Sequence, residues 1–181
     1  MHFNRLLFCA ALALPALGHA LDLRSRDFND GGALGAQQLY QGFGCTGGNR
    51  SPQLAWRDAP AGTKSFVITA YDPDAPTGSG WWHWVVFDLP AATRSLESGA
   101  GQADGTALPA GARQGRNDFG TQDFGGACPP AGDKPHRYVF TVHALKVEKL
   151  DVPADASPAL IGFMVHANRI GSAQVTARYG R

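Results

Sequence analysis

The chain is 181 residues long, with 16 Lys+Arg against 15 Asp+Glu and a formal net charge of +1. That balance excludes the basic character of a nucleic-acid binder and provides no electrostatic pull toward anionic membranes. The 23 Gly and 12 Pro imply many turns, short of the enrichment of disordered low-complexity sequence.

Residues 1–20, MHFNRLLFCAALALPALGHA, read as a secretory signal peptide. Arg5 is the positive n-region, Leu6 to Leu17 the apolar run, and Gly18 and Ala20 the small residues before a cut after Ala20. The run is shorter than the roughly 18–20 apolar residues of a spanning helix, and Pro15 interrupts it. No later stretch is long and apolar enough to span, so no transmembrane segment is expected in the mature chain. A periplasmic or secreted location is expected. Residues 21–181 are then one domain of ordinary size. Arg5 leaves with the signal, so the mature chain carries 15 basic and 15 acidic residues and no net charge.

Cys9 leaves as well, and two of the three cysteines remain. In an oxidising compartment Cys45 and Cys128 have one possible connectivity, and a structural disulfide is expected between them.

Short apolar runs bounded by turn residues favour strands. Residues 64–71 (KSFVITAY), 81–89 (WWHWVVFDL) and 137–147 (RYVFTVHALKV) are the strong ones. One helix is expected over Pro158 to Asn168, with Ser157 as N-cap, Pro158 in the first turn and Gly171 beyond its end. Leu160, Ile161, Phe163 and Met164 are spaced as its core-facing stripe. Val175 to Tyr179 is a candidate final strand.

Two motifs fail on context. Gly42, Gly44 and Gly47 fit G-x-G-x-x-G, but no clear strand precedes them, Pro52 obstructs a following helix, and no βαβ unit surrounds them. Gly78-Ser79-Gly80 lacks the spacing of a nucleophile elbow. The Asn49-Arg50-Ser51 sequon is spoiled by Pro52.

The chemistry concentrates in two places. Asp72-Pro73-Asp74-Ala75-Pro76 at a strand end makes a stiff turn that fixes the direction of two carboxyl groups. Nine residues after Asp74, His83 sits among tryptophans, and period-2 alternation puts Trp81, His83, Val85 and Phe87 on one face. A histidine there is either a satisfied core group or a ligand-facing one. The second place is Phe124-Gly125-Gly126-Ala127-Cys128-Pro129-Pro130 followed by His136-Arg137-Tyr138. Glycine N–H groups in a proline-stiffened loop can cradle an anion. Alternation places His136, Tyr138 and Phe140 on one face.

YDPDAP, WWHWVVFDLP, FGGACPP and HRYVFTVHAL, in this order and spacing, resemble the phosphatidylethanolamine-binding (Raf-kinase-inhibitor-like) protein family, and its exported bacterial branch above all. Gly42-Phe43-Gly44-Cys45, Gly48-Asn49-Arg50-Ser51-Pro52 and Gly115-Arg116-Asn117-Asp118-Phe119-Gly120 extend the likeness over nearly all of residues 21–181. The resemblance implies a mainly β fold of two antiparallel sheets with a few short peripheral helices, one of them near the C-terminus. It implies a small pocket for phosphate or a phospholipid headgroup such as phosphoethanolamine, formed by Asp72, Asp74, His83, Gly126, Pro130, His136 and Tyr138. No cofactor, metal site or catalytic residue is implied. Ala127 stands where many bacterial relatives carry a proline, and Phe124 where the animal branch carries tyrosine.

Protonated His83 and His136 are expected to supply donors to the anion, so affinity should fall as pH rises through roughly 6 to 7. Two other classes compete with a binding protein. One is a secreted protein-interaction or protease-inhibitor module, and the other a metal-dependent hydrolase built on the Asp/His cluster.

Overall fold

The computed structural model describes residues 20–181, so the signal-peptide reading lies, but for Ala20, outside the described residues. The elements in chain order are β1 (Asp22–Arg24), β2 (Gln41–Gly42), β3 (Cys45–Thr46), β4 (Leu54–Arg57), β5 (Ser65–Asp72) and β6 (Trp81–Pro90). Then come β7 (Ser95–Leu96), β8 (Arg113–Gln114), β9 (His136–Leu145), α1 (Pro158–Asn168) and β10 (Arg169–Tyr179). A 3-10 turn, Ala36–Gln38, precedes β2.

The three strands expected from apolar runs form the middle of a five-stranded antiparallel sheet ordered β10-β9-β5-β6-β8. A three-stranded antiparallel sheet, β1-β4-β7, covers one face of it, and β2 pairs with β3 in a separate hairpin. The fold is therefore mainly β as expected, with one α-helix among the described residues.

β5 is central, and seven of its eight residues are buried, which is why it reads as a continuous apolar run rather than an alternating one. Its two faces feed two cores. Phe66, Ile68 and Ala70 meet Leu54, Trp56, Trp84 and Phe140 between the sheets, while Val67 joins Val85, Phe87, Ile161 and Val165 under α1.

Helix α1 starts where Ser157 accepts a hydrogen bond from the Leu160 N–H at 3.2 Å, with Pro158 opening the first turn. Its inward stripe is Pro158, Ile161 and Val165, so the expected stripe is corrected: Leu160 and Phe163 are exposed, Phe163 by 69%. Residues 158–165 are apolar throughout and so do not mark the inner face, and packing on the sheet selects it. The chain then passes into β10 at Arg169 rather than at Val175. Ten paired positions on β9 hold the Gly171–Gln174 stretch extended despite its weak strand propensity.

Cys45 and Cys128 form a disulfide with S–S 2.07 Å, tying the β2–β3 hairpin to the loop before β9.

Candidate functional site

At one end of the large sheet, the last residue of β5 lies beside the first residues of β6 and β9. A cavity of about 230 Å³ opens there, lined by Asp72, Trp81, His83, His136 and Tyr138 from these strands and by Phe43, Phe119 and Pro130 from loops. Its wall is mostly apolar.

Asp72 is the polar centre. Its Oδ1 accepts the N–H groups of Asp74 (2.8 Å) and Ala75 (3.1 Å), so the Asp-Pro turn folds back on its own carboxylate. Its Oδ2 lies 2.7 Å from Nδ1 of His136, and both side chains are buried. The other His136 nitrogen, Nε2, is 3.4 Å from the half-exposed Asp133 carboxylate.

His83 reaches the cavity through a break in its strand. Across β5 and β6, Ala70 pairs with Trp84 and Tyr71 with Trp82, leaving His83 as an extra residue. This corrects the alternation. Trp81 and His83 turn toward the cavity, whereas Val85 and Phe87 belong to the core under α1, beside Trp82. His83 is fixed twice to Gly125: its Nδ1–H donates to the Gly125 carbonyl at 2.7 Å, and its own carbonyl accepts the Gly125 N–H at 2.9 Å. Its ring stands edge-on to Tyr138 and to Phe119, with centroids 5.1 and 5.5 Å apart.

Burial pushes the His83 pKa down, outweighing the Gly125 carbonyl and the Asp72 charge that pull it up. The ring is therefore neutral at pH 7, with Nδ1 carrying the proton and Nε2 left as an acceptor. This corrects the expectation that His83 offers a cationic donor. Burial, aided by the charge of Asp72, pushes the Tyr138 phenol far above its usual range, so its hydroxyl keeps its proton. That hydroxyl and the indole Nε1–H of Trp81 are both buried and have no hydrogen-bond partner.

Five of the seven residues expected at the site line the cavity: Asp72, His83, Pro130, His136 and Tyr138. Asp74 does not. It faces Arg137, which binds it through Nε at 2.9 Å, Nη2 at 2.7 Å and the backbone N–H at 2.9 Å. These contacts hold the Asp74 pKa at about 2. Gly126 is also outside. Its N–H donates to Asn49 Oδ1 at 2.7 Å, and a Cβ there would strike the Gln38–Tyr40 backbone. With the Gly125 and Gly126 N–H groups both engaged, the glycine loop positions His83 instead of cradling an anion.

The two sequence departures fall away from the cavity wall. Phe124 is buried against Trp84 with ring planes at 88°, and Ala127 bridges to Leu39. Asn49, set aside with the sequon, holds the loop by donating to the Phe124 carbonyl at 3.1 Å and accepting from Gly126. Trp81 and Phe119 also went unrecognised as wall residues. The tryptophan run contains the signal for Trp81, and Phe119 stands in the Gly115–Gly120 stretch that extends the family likeness.

Among the described residues, no group of three or more His, Cys, Asp or Glu side chains could hold a metal ion. No helix in them is long and apolar enough to cross a membrane.

The model of the family described as "Phosphatidylethanolamine-binding protein" matches residues 24–180. The chain is 53% identical to YbcL of Escherichia coli K12 over 94% of its own length and 93% of YbcL. It is 54% identical to YbhB of the same organism over 88% of itself and 99% of YbhB. A Mycobacterium tuberculosis protein named as lipoprotein LppC is 34% identical over 76% of this chain and 61% of LppC. The crystal structure of E. coli YbcL, described as a new member of the mammalian PEBP family, superimposes with a TM-score of 0.88, covering 90% of this chain and 99% of YbcL.

Proposed function

This chain belongs to the phosphatidylethanolamine-binding protein family, and on that premise we propose that it is an exported, non-catalytic binding protein whose cavity takes a phosphate-bearing headgroup of the phosphoethanolamine type. One observation carries the reading: the Tyr138 hydroxyl and the Trp81 indole N–H are buried without partners on residues that line the cavity. A buried donor without an acceptor costs about 1–3 kcal/mol, and oxygen acceptors from a ligand remove that cost.

The remaining groups favour a zwitterion over a bare anion. The Asp72 carboxylate would repel phosphate, but its oxygens already face His136 and two turn N–H groups. Neutral His83 adds an acceptor, which suits an ammonium group or a protonated phosphate oxygen. The exposed ring of Phe43 at the rim offers a face to a cation. Export is supported by the signal-like residues 1–20, by the disulfide, and by the lipoprotein name of one relative.

Titrating the protein into phosphoethanolamine while following the 31P line tests the reading. Saturable broadening or shift is expected, and an unchanged line at millimolar concentrations counts against it.

A further inference from the structure

A second cavity, of about 190 Å³, lies on the opposite face of the large sheet, between the sheet and α1. Its inner wall is Trp82, Val85, Ile161 and Val165, and at its rim stand the exposed His166 and Arg169. The stripe Pro158, Gly162 and His166, at successive four-residue spacings, turns the same side of α1 toward it.

One of its polar groups is unsatisfied, and one cationic group beside it is uncommitted. His143 Nδ1 is buried without a partner, and its Nε2 reaches only the Thr69 hydroxyl, at 3.5 Å. Among the described residues Arg169 forms no salt bridge. Burial and then the Arg169 charge push the His143 pKa down to about 4. The ring is therefore a neutral hydrogen-bonding group, and the charge acting on it is positive. The C-terminal end of α1 brings a partial negative charge to this region, which the full charge of Arg169 outweighs.

Gly162 is the informative residue. A glycine inside a helix costs stability relative to alanine. A Cβ added here would meet nothing within 4 Å. The glycine therefore answers no packing demand, and its missing side chain keeps the cavity open.

We infer that this cavity is a second binding site, for a small monocarboxylate with a compact apolar body, its carboxylate at Arg169 and His143 and its body against Trp82, Val85 and Ile161. A cavity of about 150 Å³ accommodates benzene, so an aryl carboxylate the size of benzoate suits this one.

The test is a titration of the whole protein with benzoate and with the uncharged benzyl alcohol, read by NMR on the His143 ring and the Trp82 indole. Benzoate should shift both signals saturably and bind roughly tenfold more tightly than benzyl alcohol. Arg169→Gln should remove that preference and leave benzyl alcohol binding unchanged. Gly162→Leu should abolish both without lowering the melting temperature, because leucine fills open space and favours the helix. Trp81→Phe, in the other cavity, should change neither. The inference is overturned by unmoved His143 and Trp82 signals, by equal binding of the two probes, or by undiminished binding to a folded Gly162→Leu protein.

Discussion

Asp72 Oδ2 and His136 Nδ1 lie 2.7 Å apart although 64 residues separate them in the chain. Each is the other's buried partner, and the pair joins the end of β5 to the start of β9 under the cavity. Removing one partner leaves the other's hydrogen-bonding group unsatisfied in a poorly solvated place, which costs about 1–3 kcal/mol. Asp72→Ala should therefore lose stability in that range in urea unfolding at pH 7. Asp72→Asn, which still accepts the Asp74 and Ala75 N–H groups, should lose less. Equal small losses would mean that the pair contributes little.

Reduction of Cys45–Cys128 should both destabilise and loosen the site. The bridge separates positions 83 residues apart, so chain entropy puts its contribution at about 4–5 kcal/mol as an upper figure. Cys128 also lines the cavity, and the bridge anchors the hairpin that carries Phe43. A Cys45→Ala/Cys128→Ala double variant should unfold at lower denaturant and bind phosphoethanolamine more weakly. Lower stability with unchanged affinity would confine the bridge to the fold.

Acid should weaken the protein through buried neutral histidines. The His143 pKa is pushed down from 6.5 to about 4 and that of His83 is pushed down as well. A base depressed in the folded state binds fewer protons than the unfolded chain at intermediate pH. Its stabilisation is complete above about 6.5 and is lost as pH falls toward 4. For His143 the loss amounts to about 3 kcal/mol. Asp74, held at about 2, adds its loss only below the usual carboxylate range. Unfolding free energies measured from pH 7 to 4 should therefore fall, and fall less steeply in His143→Gln. A slope unaltered in that variant would assign the acid loss elsewhere.

The fold was legible because β5, β6 and β9 are long, apolar and β-branched, and because Ser157-Pro158 marks a helix start in the sequence itself. Alternation served β9, which is regular, so His136 and Tyr138 share a face as expected. It failed on β6, where the extra residue at His83 turns two tryptophan neighbours to opposite faces; a bulge depends on the partner strand and leaves no period of its own. Asp74 and Gly126 were assigned to the site from resemblance, while their actual partners, Arg137 and Asn49, lie 63 and 77 residues away. Contacts of that kind are tertiary and have no local signature.

The Tyr138 hydroxyl and the Trp81 indole N–H have no partner within the protein and are the donors the proposed ligand would take up. The measurement that bears on this most directly is calorimetric titration with phosphoethanolamine at pH 7, on the parent protein, Tyr138→Phe and Trp81→Phe, alongside their urea stabilities. Removing a donor that has no partner should leave Tyr138→Phe as stable as the parent or slightly more so, while its affinity drops roughly tenfold. Trp81→Phe should also lose affinity. Parent-like affinity in both variants, or no binding by the parent, would contradict the account.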